Sequence, residues 1–306
     1  MRRYYSFNAY LKDKFPGLRV YKIALDAGFT CPHRSGPDRT GGCIYCENRS
    51  FSPNARLDPR PSISEQLRMG MDFYRRKYQA DKFIAYFQAY SNTLGPIELL
   101  KQRYDEALSG TDVVGLDIGT RPDCISDEAI NLIASYTDKY TVWVEYGLQS
   151  ADDKTLALIN RGHTYADFES AVKRTRNKNI AIGTHLIIGL PGETNDTIIN
   201  SARKVAGLGI DSVKLHHLYI AKNTELANLY GSGKVQIMSL AQYIPLVCDI
   251  LEILPPQMIV QRLTGELSGE YLIAPKWEAS KNTIIGMIEK ELERRNSYQG
   301  CKYKQP

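Results

Sequence analysis

Long apolar runs are missing from this 306-residue chain. No stretch of about 18 apolar residues occurs, which excludes a helix of bilayer-spanning length. The opening residues, MRRYYSFNAYLKDKFPG, lack the apolar core that a secretory signal needs. Cysteine is scarce, with 6 residues unevenly spread, so a disulfide framework is excluded and a reducing, cytoplasmic setting is expected. Low-complexity segments and close repeats are absent. So is a glycine-rich phosphate cradle: GGCIYC (41–46) does not open a helix as G-x-G-x-x-G does, and no Walker pattern occurs. An open nucleotide-binding sheet thereby loses its usual support. Hydrophobic residues at 43% and charged residues at 24% leave an ordinary globular profile. The length suits an α/β barrel with a sizeable core.

What is present is an alternation of apolar and helical stretches. VYKIAL (20–25), KFIAYFQAY (82–90), VVGLDIGT (113–120), YTVWVEYGLQS (140–150), IAIGTHLIIGL (180–190) and IDSVKLHHLYI (210–220) read as six strands. Helical periodicity fills the gaps, for example ISEQLRMGMDFYRRKY (63–78) behind Pro61 and Ser62. Nearly continuous apolar strands separated by helices predict a parallel sheet, either a barrel or doubly wound. Beyond residue 222 the alternation loosens into a helix near 239–252, a strand at MIVQRL (258–263) and a helix near 278–295. The expected organisation is an N-terminal extension (1–18), a core (19–222) with a loop at 28–53, and a C-terminal extension (223–306).

Three of the six cysteines lie in CPHRSGPDRTGGCIYC (31–46), spaced C-x11-C-x2-C directly after the first strand. That places them at the carboxyl end of the sheet, where α/β sites gather. Gly28, Pro32, Gly36, Pro37, Gly41 and Gly42 give the loop backbone freedom to wrap a compact centre. Zinc on Cys31, His33, Cys43 and Cys46 is one reading. A redox C-x-x-C pair is another. The third is an iron–sulfur cube on three thiolates, which leaves one iron open to a ligand. The other strands also end in polar and glycine residues: YFQAYSNT (86–93), IGTRPDC (118–124), EYGLQS (145–150) followed by INRGHT (159–164), and HLIIGLPGET (185–194). A purely structural zinc loop would not require that rim.

Net charge is +5, which is mild. The ends are more distinctive. Arg2, Arg3, Tyr4, Tyr5, Tyr10, Lys12 and Lys14 at the front, and Arg294, Arg295, Tyr298, Lys302, Tyr303 and Lys304 at the back, interleave cations with aromatic rings. Such surfaces suit RNA.

The cysteine loop, EYGLQS–INRGHT and HLIIGLPGE together resemble the radical S-adenosylmethionine (SAM) superfamily. Within it, the chain is similar to the YhcC/YtqA-like family almost end to end, including QRLTGE (261–266), APKW (274–277) and QG (299–300). The wide loop spacing resembles that of the elongator-type radical SAM enzymes. The resemblance implies an α/β fold, a partial (β/α)6 TIM-like barrel with a helical and strand C-terminal extension closing it. It implies a [4Fe–4S] cluster on Cys31, Cys43 and Cys46, which cleaves bound S-adenosylmethionine to a 5′-deoxyadenosyl radical. By the same resemblance Gln88 and Arg161 serve the methionine end, Glu145 the ribose, and Ile187, Gly189 and Tyr219 the adenine, with Gln149 and Ser150 as further cofactor-binding residues on the same rim as Glu145. FQAYSNT stands where the superfamily has Gly-Gly-Glu. Cys124 and His185 are candidate catalytic residues on the rim. The implied substrate is tRNA, at the C5 substituent of the wobble uridine, with a flavodoxin- or ferredoxin-like electron donor. A small tetrapyrrole-like metabolite is the enzymatic rival, and a zinc-stabilised RNA-binding protein the non-enzymatic one.

Overall fold

A computed structural model describes residues 3–35, 41–265 and 269–304. Arg2, Gly36, Pro37 and Glu266 lie outside the described residues. The strands are β1 (Val20–Leu25), β2 (Lys82–Phe87), β3 (Val113–Thr120), β4 (Thr141–Gln149), β5 (Ala181–Ile188), β6 (Ser212–His217), β7 (Ile220–Ala221), β8 (Ile259–Arg262) and β9 (Leu272–Ala274). Seven of them form one parallel sheet in the order β1-β2-β3-β4-β5-β6-β8, curled into a partial barrel. The six expected strands are joined by a seventh, β8, from the C-terminal stretch. β7 and β9 form a separate antiparallel pair.

Each crossover helix is started by its own sequence. Ser62 with Glu65, Thr164 with Asp167, and Ser239 with Gln242 form reciprocal caps at the first turns of Ile63–Tyr78, Tyr165–Thr175 and Leu240–Ile253. The helices cover the outer face of the sheet. There Ile23, Leu25, Phe83, Phe87, Leu116, Ile118, Val144 and Leu186 are buried in the main core.

Alternate residues point into the barrel, and these are polar: Lys22, Tyr86, Glu145, His185 and Lys214. Two glycines make room for them. A Cβ at Gly147 would meet the Arg161 guanidinium at 2.6 Å, and one at Gly183 would meet Ser212 Oγ at 2.8 Å.

The helix Phe7–Lys14 was not foreseen. Ser6 caps it by accepting from Ala9 N–H. Phe7 and Tyr10 set their edges on Trp143 with ring centroids 6.2 and 5.5 Å apart. Trp143 sits in the amino half of β4, so this helix closes the amino end of the barrel, away from the cysteines. The C-terminus meets it there: Tyr5 N–H donates to Gln299 Oε1 (2.9 Å) and Gln299 N–H to Arg3 O (2.9 Å). Arg295 pairs with Asp249 and Glu291, and Lys302 with Glu252. Arg3, Arg295 and Lys302 are thus engaged in bracing the amino end of the barrel, while Lys12, Lys14, Arg294 and Tyr298 stay exposed.

Candidate functional site

The cysteine loop is fastened before it does anything chemical. Ile44 N–H donates to Ile159 O (3.1 Å), Leu226 N–H to Ile44 O (2.8 Å), and Asn160 Nδ2 to Gly42 O (2.7 Å). Cys31, Cys43 and Cys46 form no disulfide and are half-buried. Cys31 Sγ lies 3.5 Å from Ser91 Oγ. Burial, with Cys43 next to it, pushes the Cys46 thiol up to about 12, against the pull of Arg34. A thiolate at Cys46 would need a positive centre beside it to form in so dry a place.

Among the described residues no three His, Cys, Asp or Glu side chains come close enough to clasp a single ion. His33 is turned elsewhere. Its Nε2 lies 3.3 Å from Arg121 Nη2, and its ring fills the space over Gly162, where a Cβ would stand 1.6 Å away. The four-ligand zinc site is therefore not assembled. Three thiols on one loop, two of them lining the cavity, are the donor type that an iron–sulfur cluster takes.

Arg161 is the cation of this corner. β4 slips register between Tyr146 and Gln149, which frees the Gly147 carbonyl from the ladder. Arg161 Nη2 and Nε donate to that oxygen at 2.6 and 3.2 Å, and Nη1 stands 3.4 Å from Cys43 Sγ. His163 Nε2 lies 3.2 Å from the same oxygen, and burial beside Arg161 lowers its pKa to about 4. The guanidinium is thus held between the Gly147 carbonyl and Cys43 Sγ, and it also lines the cavity.

The other rim residues separate into two groups. Gln88, Gln149, Ile187 and Tyr219 line a cavity of about 1140 Å³ that also reaches Cys31 and Cys46. Ser150 does not. It is buried and donates to Glu193 Oε1 (2.6 Å), tying the GLPGE turn, with Gly189 at φ 89° and Gly192 at φ 82°, to the end of β4. Burial raises the Glu193 carboxyl to about 7. Cys124 is buried beside Asp123, and burial pushes its thiol up to about 12.

Glu145 is not a rim residue. It is fully buried halfway down the barrel, with Oε1 accepting from Lys22 (2.9 Å) and Oε2 from Lys214 and from His185 Nε2 (2.9 Å). Three donors of the chain itself thus occupy most of its acceptor sites, although Glu145 also lines the cavity. Lys22 also pairs with Asp117 and donates to Gln261 Oε1 (2.7 Å), and Lys214 donates to Tyr86 Oη (3.0 Å). Burial drives Lys214 down to about 8 and Asp117 up to about 7, and burial leaves His185 neutral at about 4. His185 is thus a member of this network, and it also lines the cavity. Sequence reasoning missed Lys22, Asp117 and Lys214. Their signal was a single charge in an otherwise apolar strand.

Comparison with known proteins agrees with this geometry. Residues 30–205 match the Radical SAM superfamily and residues 210–294 the Radical_SAM C-terminal domain. The chain is 39% identical to YtqA of Bacillus subtilis across 98% of its length and 92% of that protein's. It is 36% identical to YhcC of Escherichia coli across 89% and 86%. A tRNA uridine(34) acetyltransferase of Dehalococcoides mccartyi is 24% identical over 81% of this chain and 61% of its own. Among solved structures, the archaeal Methanocaldococcus infernus Elp3 with an N-terminal deletion superposes with a TM-score of 0.69 at 18% identity, over 92% of this chain and 64% of that one. That likeness is one of fold.

Proposed function

This chain belongs to the radical SAM superfamily, and we propose that it modifies the C5 substituent of the wobble uridine in tRNA. Proteins of this family use a [4Fe–4S] cluster and S-adenosylmethionine. When bound, the pair supplies reductive cleavage of the sulfonium and hydrogen abstraction from an unactivated carbon. The observation that carries the reading is the corner made by Cys31, Cys43, Cys46 and Arg161, opening on a cavity at the carboxyl ends of the strands.

In this reading the three cysteines hold the cluster, and Arg161 balances the charge on Cys43. Gln88, Gln149, Ile187, Gly189 and Tyr219 bound the cosubstrate's place. The Lys22–Asp117–Glu145–Lys214 network is a rigid floor beneath it, and the Phe7–Trp143 contact keeps water from the amino end. Cys124, next to the cluster loop, is held protonated by burial. The tRNA assignment is supported by the match to the uridine(34) acetyltransferase over most of this chain, and the electron donor is a flavodoxin- or ferredoxin-like protein. The wobble base must leave its stack to reach the rim.

Two measurements test this. Anaerobically reconstituted protein should carry about four irons per chain and release 5′-deoxyadenosine, and Cys43→Ala should lose both. Nucleoside mass spectrometry of tRNA from cells with and without the protein should show one altered C5 substituent at the wobble uridine. An unchanged nucleoside profile beside intact cosubstrate cleavage would reject tRNA and favour a small metabolite.

A further inference from the structure

The floor of the barrel satisfies its charges, with one exception. Lys22 has Asp117 and Glu145, Lys214 has Glu145, Arg121 has Asp123, and Arg161 has the Gly147 carbonyl and Cys43. Arg262 lines the same cavity and makes no hydrogen bond or ion pair among the described residues.

Its placement follows from an irregularity in β8. Val213 pairs with Val260, but Lys214 pairs with Arg262, so the strand skips a residue. A bulge of this kind re-aims a side chain. Both Gln261 and Arg262 then reach the cavity wall. Gln261 is used up on Lys22 and Ser212. Arg262 is left over, and its charge bears on Lys214 at its own level and on His216 and Tyr219 nearer the rim. His216 beside it has an Nε2 that also lacks a partner. The backbone after Arg262 is fixed, because Tyr243 Oη donates to Leu263 O (2.7 Å) and Thr264 Oγ1 lies 3.1 Å from His217 Nδ1.

A guanidinium stays charged under all conditions that keep the protein folded. Held in a half-closed cavity without a carboxylate, it is a preformed site for an oxyanion, which its fork binds through two hydrogen bonds. The Arg262 backbone pairs with Lys214, four residues before Leu218, which is about 13 Å of strand below the rim. Lys214 pairs in turn with His185, so Arg262 stands on the barrel wall at the level of that residue. We propose that Arg262, with His216 beside it, is the subsite for an anionic group of the substrate, a carboxylate or a phosphate, carried into the barrel next to the reacting carbon. This deepens the reading of the barrel as a radical enzyme, and rests on it, by naming the class of substrate.

The test uses the cluster-loaded full chain, kept anaerobic, as wild type, Arg262→Gln and Arg262→Lys. Thermal protection is titrated with acetate and, separately, with inorganic phosphate at fixed ionic strength, and S-adenosylmethionine affinity is measured by equilibrium dialysis. Wild type should be protected saturably by at least one anion, which also identifies the group. Arg262→Gln should weaken that protection roughly tenfold or more, with Arg262→Lys between the two. Unliganded melting temperature and cosubstrate affinity should stay within error in both variants. Equal protection of Arg262→Gln, or no protection of wild type by either anion, would overturn the subsite. A roughly tenfold loss of cosubstrate affinity would overturn it too, by assigning the guanidinium to the methionyl carboxylate. Failure of the wild type to bind S-adenosylmethionine would instead sink the radical reading, and the anion titration would still decide the subsite.

Discussion

At the carboxyl end of the strands, Cys31, Cys43 and Cys46 lie on one loop, where burial pushes the Cys46 thiol up to about 12 and two cations, Arg34 and Arg161, stand beside the loop. Half a strand lower, Lys22, Asp117, Glu145 and Lys214 are just as buried, yet two cations face two carboxylates. The upper region would need a positive centre to hold its three sulfurs as thiolates. The lower one is balanced within the chain. Polar groups arranged for an external ligand and polar groups arranged for the fold thus sit about 10 Å apart on the same strands. They can be told apart by asking which charges already have partners.

The largest effects should come from breaking the balanced region. Glu145→Gln keeps the shape of the side chain but leaves Lys22 and Lys214 facing each other with less than one full countercharge apiece. Removing one partner from a buried ion network costs about 3–5 kcal/mol. Urea unfolding of the cluster-free protein should show a loss of that size, while iron bound per folded chain stays normal. Cys43→Ala should give the converse, with iron lost and unfolding nearly unchanged. A Glu145→Gln loss under about 1 kcal/mol would mean that the network is wetter than its burial implies.

A smaller effect is expected where the two regions meet the loop. Gly162 has φ 73°, and His33 lies over it. Gly162→Ala forces an L-residue into the left-handed region, at about 1–2 kcal/mol, and pushes His33 off Arg121. Iron uptake should slow several-fold relative to wild type, because the turn carrying Arg161 is held against the cysteine loop at Ile44 and Gly42. Normal uptake kinetics in this variant would show that the loop tolerates a shift of His33.

These two variants also mark what could be read from the chain beforehand. The strands of the barrel were legible to within a few residues, because a parallel sheet covered by helices demands near-continuous apolar runs. The cysteine loop was legible because its three cysteines are close in sequence. The Lys22–Asp117–Glu145–Lys214 network was not, since its members come from four different strands and meet only when the sheet curls. The Phe7–Lys14 helix escaped notice for a related reason. Leu11 is its one buried residue, so its periodicity is faint, and its aromatic rings find their role only against Trp143. The same rings were read as a surface for bases. The seventh strand was visible as an apolar run, but that it would join the sheet beside β6 was not.

The smallest predicted effect concerns the seam between β4 and the GLPGE turn, where a charge is held on neither plan. Glu193 Oε1 accepts from Ser150, while Oε2 is buried without a partner. Its carboxyl titrates near 7 in the folded chain against an ordinary 4.5. A raised folded pKa means that the group favours folding most below pH 4.5, and that this contribution is lost as pH rises through 7. Glu193→Gln keeps an acceptor for Ser150 and removes the titration. At pH 5 the variant and wild type should therefore melt within about a degree of each other. At pH 8 the variant should be the more stable by about 1 kcal/mol, the full linkage value being reduced because the residue is partly exposed. Asp117, which titrates over the same range, is present in both proteins, so the difference between the two melting curves isolates Glu193. A pH-independent difference would show that the Ser150 contact, and not the buried charge, sets the energetics of this turn.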